Sequence, residues 1–261
     1  MRARPMIALL TDFGMSDPYV GSMKGVISAI APGTPIVDLS HEVLPQNITQ
    51  GGYFLWSCYK YFPAGTIFVC IVDPGVGTGR RVLCVEGAGY RFLGPDNGLM
   101  QLVVDSLARS SIFTVENRRY FRKEISPTFH GRDIFAPVAA HLSRGVPAAS
   151  LGSRTKSFAP GERLVQISER RKRLYQGSIL HIDRFGNLIS NFLAKGRLPS
   201  NLLLHLGRRA IHQTFRTYGE AREKTPFLVA GSSGLIEISI RNGNAARSLH
   251  ARIGQAITLK T

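Results

Sequence analysis

The sequence predicts an α/β protein with a mainly parallel sheet in its N-terminal half and a second, antiparallel β unit towards its C-terminus. Over the first half, short apolar runs alternate with segments of helical spacing, a pattern typical of parallel strands that helices cover on both faces. From about residue 174 onward, short β-type segments follow one another with almost no helical pattern. A Ser/Gly/Pro-rich stretch at 150–164 lies between these two textures and predicts a connector.

Strands and helices alternate at the start of the chain. In order, the spacing of apolar residues predicts strand 6–14, helix 19–33, strand 35–43, helix 48–65 and strand 65–75, and later a helix at 130–145. The predicted strands carry the acids Asp12, Asp38 and Asp73 at their ends. Open α/β sheets bind ligands at the carboxyl edge of their strands, so we expect these three acids to line that edge.

The second unit contains five β-type segments that turn residues separate, namely GSILHID, NLISNF, LLLHLG, PFLVAGSSGLIEISI and QAITLK. They predict a small antiparallel barrel or sandwich. We therefore predict a first domain over residues 1–160, a linker over 161–173 and a β domain over 174–261.

Composition indicates a globular protein. The chain has 261 residues, of which 44% are hydrophobic, enough for one large domain or two ordinary ones. No stretch approaches the roughly 18 consecutive apolar residues of a membrane helix, and we expect a soluble cytoplasmic protein without a cleaved signal. Cys58, Cys70 and Cys84 lack CxxC spacing, which favours buried free thiols over zinc ligands or a disulfide.

The formal net charge of +16 raises the question of a nucleic-acid partner. The segment RRYFRK at 118–123 interleaves basic and aromatic residues, as single-strand-binding surfaces do, and ERRKR at 169–173 adds a second basic cluster. The remaining basic residues are scattered along the chain. We therefore expect a solvated basic surface and no nucleic-acid partner, and keep a basic nucleic-acid-binding protein as an alternative.

The segment IVDPGVGTGRR, residues 71–81, looks at first like a phosphate-binding loop. Such a loop needs Lys-Ser/Thr after its last glycine and a helix behind it, whereas here two arginines and the β-rich VLCVEG follow. We therefore predict a loop between two strands, whose glycines let Asp73 and Arg80 approach each other or a ligand. A structural pair that closes the turn and a catalytic pair are both compatible with the sequence.

Other clusters carry groups suited to binding or proton transfer. TDFGMSDPY places Asp12 at the first strand end, where a carboxylate can accept both hydroxyls of a ribose, and TFHGRD presents His130 just before a helix. In the second unit, HIDRFGNLISN brings Asp183 and Asn187 to a glycine turn. Turn and capping roles would also explain these residues.

Six motifs in order, TDFG, VDPGVGTGRR, GPDNG, TFHGRD, IDRFGN and SSGLIEI, span nearly the whole chain. Together they resemble the adenosine-forming S-adenosylmethionine (SAM) hydrolases, also called SAM hydroxide adenosyltransferases, which are relatives of the fluorinase and chlorinase. The resemblance implies an N-terminal Rossmann-like α/β domain and a C-terminal β-barrel domain. It also implies a homotrimer with active sites between the N-terminal domain of one subunit and the C-terminal domain of the next.

The resemblance assigns roles to individual residues. It implies that Asp73, Arg80 and His130 handle the attacking water and that Asp12 binds the ribose. In the second unit it implies that Asp183 holds the methionine amino group and that Asn187 reads the adenine edge. Ser232 matches a contact to the methionine carboxylate, and Glu237 of the same SSGLIEI motif completes the predicted substrate-binding set.

The reaction implied is hydrolysis of SAM to adenosine and L-methionine, by in-line attack of an oriented water at the ribose C5′. SAM is then the substrate, and no cofactor is needed. We expect no metal site, because the sequence has no His/Cys/Asp cluster at ligand spacing. A SAM-dependent halogenating enzyme remains the alternative within the same superfamily.

Overall fold

The computed structural model describes residues 5–167, 174–194 and 196–261. The chain forms two compact units, the first ending at Glu162 and the second beginning at Arg163, and we describe each by itself. The basic cluster at 169–173, with the second part of the predicted linker, lies outside the described residues. The domain boundaries drawn from the sequence stay a prediction.

The first unit contains a seven-stranded mixed sheet. Its strands are β1 (Ile7–Thr11), β2 (Ile36–Ser40), β3 (Ile67–Ile71), β4 (Val82–Gly87), β5 (Tyr90–Pro95), β6 (Ser110–Thr114) and β7 (Arg154–Thr155). They lie in the order β2-β1-β3-β5-β4-β6-β7, in which β2, β1, β3 and β5 are mutually parallel and the remaining pairs are antiparallel. This confirms the predicted α/β class with its parallel strands near the N-terminus.

Helices cover this sheet. They are α1 (Tyr19–Ile30), α2 (Ile48–Cys58), α3 (Gln101–Ser106) and α4 (Ala136–Ser143). α1 buries Val20, Met23 and Ile27, which share one face at helical spacing, and it packs against α4. β1 and β3 are buried along their whole length, so their continuous apolar runs reflect cover on both faces.

Asp38 does not lie at the end of its strand. It pairs in register with Leu9 inside β2, which continues for two residues beyond it. Its carboxylate lies 2.6 Å from Nζ of Lys24 and 3.0 Å from Nε2 of His41. The expectation that Asp38 lines the ligand-binding edge is therefore wrong.

The second unit is an antiparallel, nearly closed barrel. Its strands are β8 (Val165–Gln166), β9 (Leu174–Ile182), β10 (Leu188–Leu193), β11 (Leu203–Leu206), β12 (Arg209–Ile211), β13 (Pro226–Ala230), β14 (Leu235–Ile240) and β15 (Ala256–Lys260), with a short helix α5 (Ala245–Leu249). Seven of them follow the order β12-β11-β15-β9-β10-β14-β13, and β8 pairs with β10 in parallel. Beyond β12, the carbonyl of Gln213 accepts from the amide of Leu228 at 2.7 Å, which brings the two ends of the sheet together.

The aromatic residues of the basic segment 118–123 face inward. Tyr120 and Phe121 pack against the hydrophobic core of the first unit, and the ring of Tyr120 lies 5.2 Å from that of His141. Arg118 and Arg119 are exposed. This packing partly buries both rings and so limits the aromatic surface that they offer to a nucleic-acid base.

Two further findings concern the cysteines and the membrane. Cys58, Cys70 and Cys84 are free thiols, as predicted. Burial raises the pKa of the Cys58 thiol to about 11 and that of Cys84 to about 12. Within the described parts of the chain, no helix combines the length and apolar character that crossing a bilayer requires.

Candidate active site

The loop from β3 to β4 carries Asp73 and Arg80, and it joins two strands as predicted. Gly77, in its middle, has φ of +79°, and a side chain there would collide with the carbonyl oxygen of Pro127. A glycine is required on both counts. The close approach holds this loop against the segment that leads into His130.

Arg80 connects Asp73 to His130. Its Nε lies 3.0 and 2.9 Å from the two carboxylate oxygens of Asp73, and its Nη2 lies 2.9 Å from Nδ1 of His130. The side chains of Arg80 and Asp73 are only 10% and 5% exposed, so solvent screens this pair weakly. The three residues assigned to the attacking water thus form one hydrogen-bonded group.

The contact with Arg80 fixes the protonation state of His130. A guanidinium has only N–H donors, so Nδ1 of His130 must be the acceptor, and the neutral ring then carries its proton on Nε2. Burial lowers the pKa of His130 below its ordinary value, and the positive charge of Arg80 lowers it further, against the opposing charges of Asp73 and Asp133. Geometry and electrostatics therefore agree on a neutral imidazole at neutral pH.

A pocket of about 190 Å³ opens beside this group, and Asp73 and His130 line it. Its other walls include Phe13, Tyr19 and Phe129, whose rings contact one another edge to face, with centroids 5.0 to 6.1 Å apart. The pocket therefore combines a charged, hydrogen-bonding end with an aromatic wall. Such a cavity suits a small organic substrate.

Asp133 is a residue of this region that the sequence reasoning did not single out. It lies in a π-helical turn, Gly131–Phe135, directly after His130, and its side chain is fully buried. Its carboxylate accepts from Nη1 of Arg122 (3.0 Å), Nε of Arg132 (2.7 Å) and the amide of Ser126 (2.9 Å). It thereby ties down both sides of the segment that presents His130. Asp133 is the last residue of the TFHGRD motif, and this acid was the sequence signal that could have identified it.

Asp12 lies directly after β1, next to the parallel strand that leads to Asp73. Its Oδ2 accepts a hydrogen bond from the amide of Gln46 at 2.8 Å, and the carboxylate remains partly exposed. The neighbouring Phe13 lines the pocket described above. The structure thus places Asp12 at the edge of the sheet, where the sequence predicted it.

In the second unit, Asp183 and Asn187 share one turn between β9 and β10. Nδ2 of Asn187 donates to Oδ2 of Asp183 at 2.8 Å, and Oδ1 of Asp183 accepts from the amides of Phe185 and Asn187. Phe185 at the tip of this turn is 75% exposed. An exposed ring between two polar groups is an available stacking face, and the sequence reasoning did not include it.

Ser232 and Glu237 belong to the β13–β14 hairpin. Ser232 is exposed, whereas Glu237 is buried and accepts a hydrogen bond from the Tyr218 hydroxyl at 2.7 Å. Burial raises the pKa of Glu237, and the nearby charge of Asp183 raises it further. The charge of Asp183 therefore acts on the Glu237 carboxyl. The Glu237 side chain fits against Gly231 because that residue has no side chain.

Among the residues that the structure describes, no three His, Cys, Asp or Glu side chains are grouped so that they could hold a metal ion. The polar groups at the pocket are a carboxylate, a guanidinium and a neutral imidazole. Such groups are suited to hydrogen-bonding a small polar molecule. Asp73 lies just beyond the carboxyl end of the parallel strand β3, where open α/β sheets bind ligands, so this group marks a candidate site for a small molecule in an α/β enzyme.

Comparison with known proteins gives the family. The SAM hydroxide adenosyltransferase N-terminal domain matches residues 7–152, and the SAM hydroxide adenosyltransferase C-terminal domain matches residues 177–258. The chain belongs to the SAM hydroxide adenosyltransferase family, which confirms the resemblance drawn from its motifs.

Individual relatives agree. The chain is 37% identical to a protein named (R)-S-adenosyl-L-methionine hydrolase from Thermus thermophilus, over 97% of this chain and 98% of that protein. A fluorinase from an Actinoplanes species is 28% identical over 72% of this chain and 71% of that protein. The crystal structure of a conserved protein from Thermotoga maritima superposes with a TM-score of 0.86 at 31% identity, covering 97% of this chain and 99% of that one.

Proposed function

We propose that this protein hydrolyses SAM to adenosine and L-methionine. The observation that carries the proposal is the hydrogen-bonded group of Asp73, Arg80 and His130, of which Asp73 and His130 line a pocket with aromatic sides. Full-length relatives named (R)-S-adenosyl-L-methionine hydrolase support the substrate, including its sulfonium configuration. SAM is consumed, so the reaction requires no separate cofactor.

The reaction replaces one bond at the ribose C5′. The C5′–S bond breaks and its electron pair returns to sulfur, giving neutral methionine thioether, while a C5′–O bond forms to water. The sulfonium is already a good leaving group, so the main task is to hold water in line behind C5′. Reacting atoms held about 3 to 3.5 Å apart recover a large part of the entropic barrier.

We propose that Asp73 accepts the proton that the attacking water loses. In His130 the acceptor nitrogen Nδ1 is occupied by Arg80, which leaves only the Nε2–H donor for the pocket. A carboxylate offers about four lone-pair positions, and the donors of Arg80 leave part of this capacity at Asp73 free. Proton transfer of this kind contributes roughly 10²- to 10⁴-fold.

Weak solvation of the triad also favours the reaction. An oxyanion-like nucleophile and a sulfonium lose charge as they combine, so a site that excludes bulk water raises the ground state more than the transition state. The low exposure of Asp73 and Arg80 provides such surroundings. Before the proton is transferred, the positive charge of Arg80 balances the negative charge of Asp73.

For the rest of the substrate we propose the assignments that the motifs imply. Asp12 binds the ribose hydroxyls, Asp183 the methionine amino group and Asn187 the adenine edge. The exposed hydroxyl of Ser232 suits the methionine carboxylate. Glu237 adds negative charge near Asp183, which favours a cationic amino group. Each of these contacts can be tested by substitution and substrate affinity.

The exposed ring of Phe185 supports one further contact, which is stacking against adenine.

We also propose a cytoplasmic homotrimer with active sites between subunits, as the family resemblance implies. Light scattering across a dilution series, with activity measured on the same samples, tests the assembly. Activity should disappear as the trimer dissociates. Full activity from a verified monomer would rule out this part of the proposal.

The test of the proposed function is incubation of the pure protein with each sulfonium epimer of SAM in oxygen-18 water. Attack at C5′ should place the label in adenosine and leave methionine unlabelled. The Asp73→Asn variant, which keeps the shape but loses the proton acceptor, should form far less product. Absence of adenosine from the wild-type reaction, or label in a methionine-derived product, would contradict the proposal.

A further inference from the structure

A second chain of polar side chains lies beneath the pocket, apart from the Asp73 group. Oγ1 of Thr11 lies 2.8 Å from Nδ1 of His41, and Nε2 of the same ring lies 3.0 Å from Oδ1 of Asp38. Nζ of Lys24 on α1 lies 2.6 Å from the other oxygen of Asp38. This row of side chains therefore extends from Lys24 on the solvent side of α1 inward to Thr11 at the end of β1.

The hydroxyl of Thr11, the imidazole of His41 and the carboxylate of Asp38 follow one another in the order of a hydrolase triad, but they cannot act as one. Thr11 is 0% exposed, so no substrate can reach its hydroxyl. His41 is also buried, and its Nε2 makes no well-aligned hydrogen bond among the described residues, only the charge contact with Asp38. A hydroxyl that no substrate can reach cannot act as a nucleophile. These side chains instead contact the neighbouring backbone.

The backbone that it holds is the turn after β1. Oγ1 of Thr11 accepts from the amide of Phe13 at 3.2 Å, and the carbonyl of His41 accepts from the amide of Gly14 at 2.8 Å. The carboxylate of Asp12 accepts from the amide of Gln46, in the segment that follows His41. The first of these bonds lies within the turn, and the other two join the turn to the segment after β2.

The turn needs such support for a physical reason. Gly14 has φ of +66° and most residues after it up to α1 are exposed, so local packing does little to restrain the turn. Yet Phe13 forms part of the pocket wall, where it contacts Tyr19 and Phe129. A small rotation of the turn would move both this wall and the adjacent carboxylate of Asp12.

We propose that His41 and Thr11 are positioning residues for the substrate, which hold the turn that carries Asp12 and Phe13 in its binding conformation. Asp38, which Lys24 contacts, lies next to the far side of the His41 ring. This inference rests on the proposed function, because the nucleoside part of SAM is the ligand that the turn would contact. It predicts an effect on affinity and little effect on turnover.

The decisive substitution is Thr11→Val, which keeps the β-branched shape and removes only the hydroxyl. Thr66→Val is the matched control, because Thr66 is equally buried and its hydroxyl donates to the carbonyl of Pro63 at 2.7 Å, just before β3 begins. That position lies at the opposite end of the parallel strands. Thr66→Val loses one hydroxyl hydrogen bond, whereas Thr11→Val loses the contacts of its hydroxyl with His41 and with the Phe13 amide of the turn.

Calorimetry with adenosine should show affinity weakened about fivefold in the Thr11→Val variant, the equivalent of one hydrogen bond, and unchanged in Thr66→Val. KM for SAM should rise with it while kcat stays near the wild-type value. Thr11→Ser, which restores the hydroxyl, should restore affinity. Hydrogen exchange of the Phe13 amide should become faster in Thr11→Val and stay unchanged in Thr66→Val.

Wild-type adenosine affinity in Thr11→Val, or equal weakening in both valine variants, would overturn this inference and leave the proposed hydrolysis intact. A loss of kcat at unchanged KM would overturn it as well. Failure of the wild-type protein to form adenosine from SAM would instead overturn the proposed function, and the positioning role would fall with it.

Discussion

Arg80→Lys tests the proposed chemistry most directly. The substitution keeps the positive charge next to Asp73 but replaces a planar fork of donors with a single ammonium group. In the wild-type site the fork reaches both oxygens of Asp73 through Nε and reaches Nδ1 of His130 through Nη2. One ammonium cannot reproduce all of these contacts, so the orientation of Asp73 and His130 around the water should be lost.

The structure sets the expected size of the effect. Hydrogen bonds to charged groups contribute about 1.5 to 3 kcal/mol each, and loss of two at the low end of this range gives about 3 kcal/mol. If this orientation matters only in the transition state, kcat should fall about a hundredfold or more. KM should change by less than about threefold, because the proposed partner of Arg80 is the attacking water and not the nucleoside.

The assay is steady-state adenosine formation by chromatography, with Arg81→Lys as the matched control. Arg81 is the next residue, and its Nε donates to Asp96 at 2.8 Å while its Nη2 donates to the carbonyl of Ser157 at 2.9 Å. Its guanidinium points away from the Asp73 group, as alternation along an extended segment predicts. Arg81→Lys should therefore keep kcat near the wild-type value. Wild-type kcat in a folded Arg80→Lys variant would refute the reasoning and reduce Arg80 to charge balance.

Four further predictions concern the ribose, halide ions and pH. Asp12→Ala should weaken adenosine binding by about 1.5 to 3 kcal/mol, because two hydroxyls lose a charged acceptor, and calorimetry showing unchanged affinity would exclude the ribose assignment. In high chloride or fluoride, adenosine should remain the sole nucleoside product, because Asp73 holds water by accepting its proton whereas a halide has no proton to donate, and chromatographic detection of 5′-halo-5′-deoxyadenosine would show the opposite. The pKa of His130 is lowered, so the acid limb of the pH–kcat profile, where Nδ1 takes a proton and loses its bond from Arg80, should be centred below 6.5; an acid limb centred above 6.5 would contradict this. The pKa of Glu237 is raised above 4.5, so its stabilising contribution is complete below that pH and is lost as pH rises through the raised pKa; urea unfolding should show Glu237→Gln gaining stability relative to wild type over that range, and a constant difference would contradict it.

The sequence does not show where each of the first three strands ends relative to its acid. Asp12 and Asp73 lie just beyond β1 and β3, whereas Asp38 lies inside β2. In all three cases the sequence shows an acid in or after an apolar run, and it carries no marker of where pairing with the neighbouring strand stops. Register decided which acids reach the ligand-binding edge and which one supports His41 from below.

By itself, the sequence predicted the alternation of strands and helices at the start of the chain, the change to an antiparallel unit and the set of motifs. These features depend on residues a few positions apart, since apolar periodicity and turn residues act locally. The tertiary structure alone decided how side chains distant along the chain meet. Arg80 and His130 are 50 positions apart, and Thr11 and His41 are 30 apart. Their contacts, and with them the neutral state of His130, arise from the packing of separate strands and loops, which no local pattern encodes.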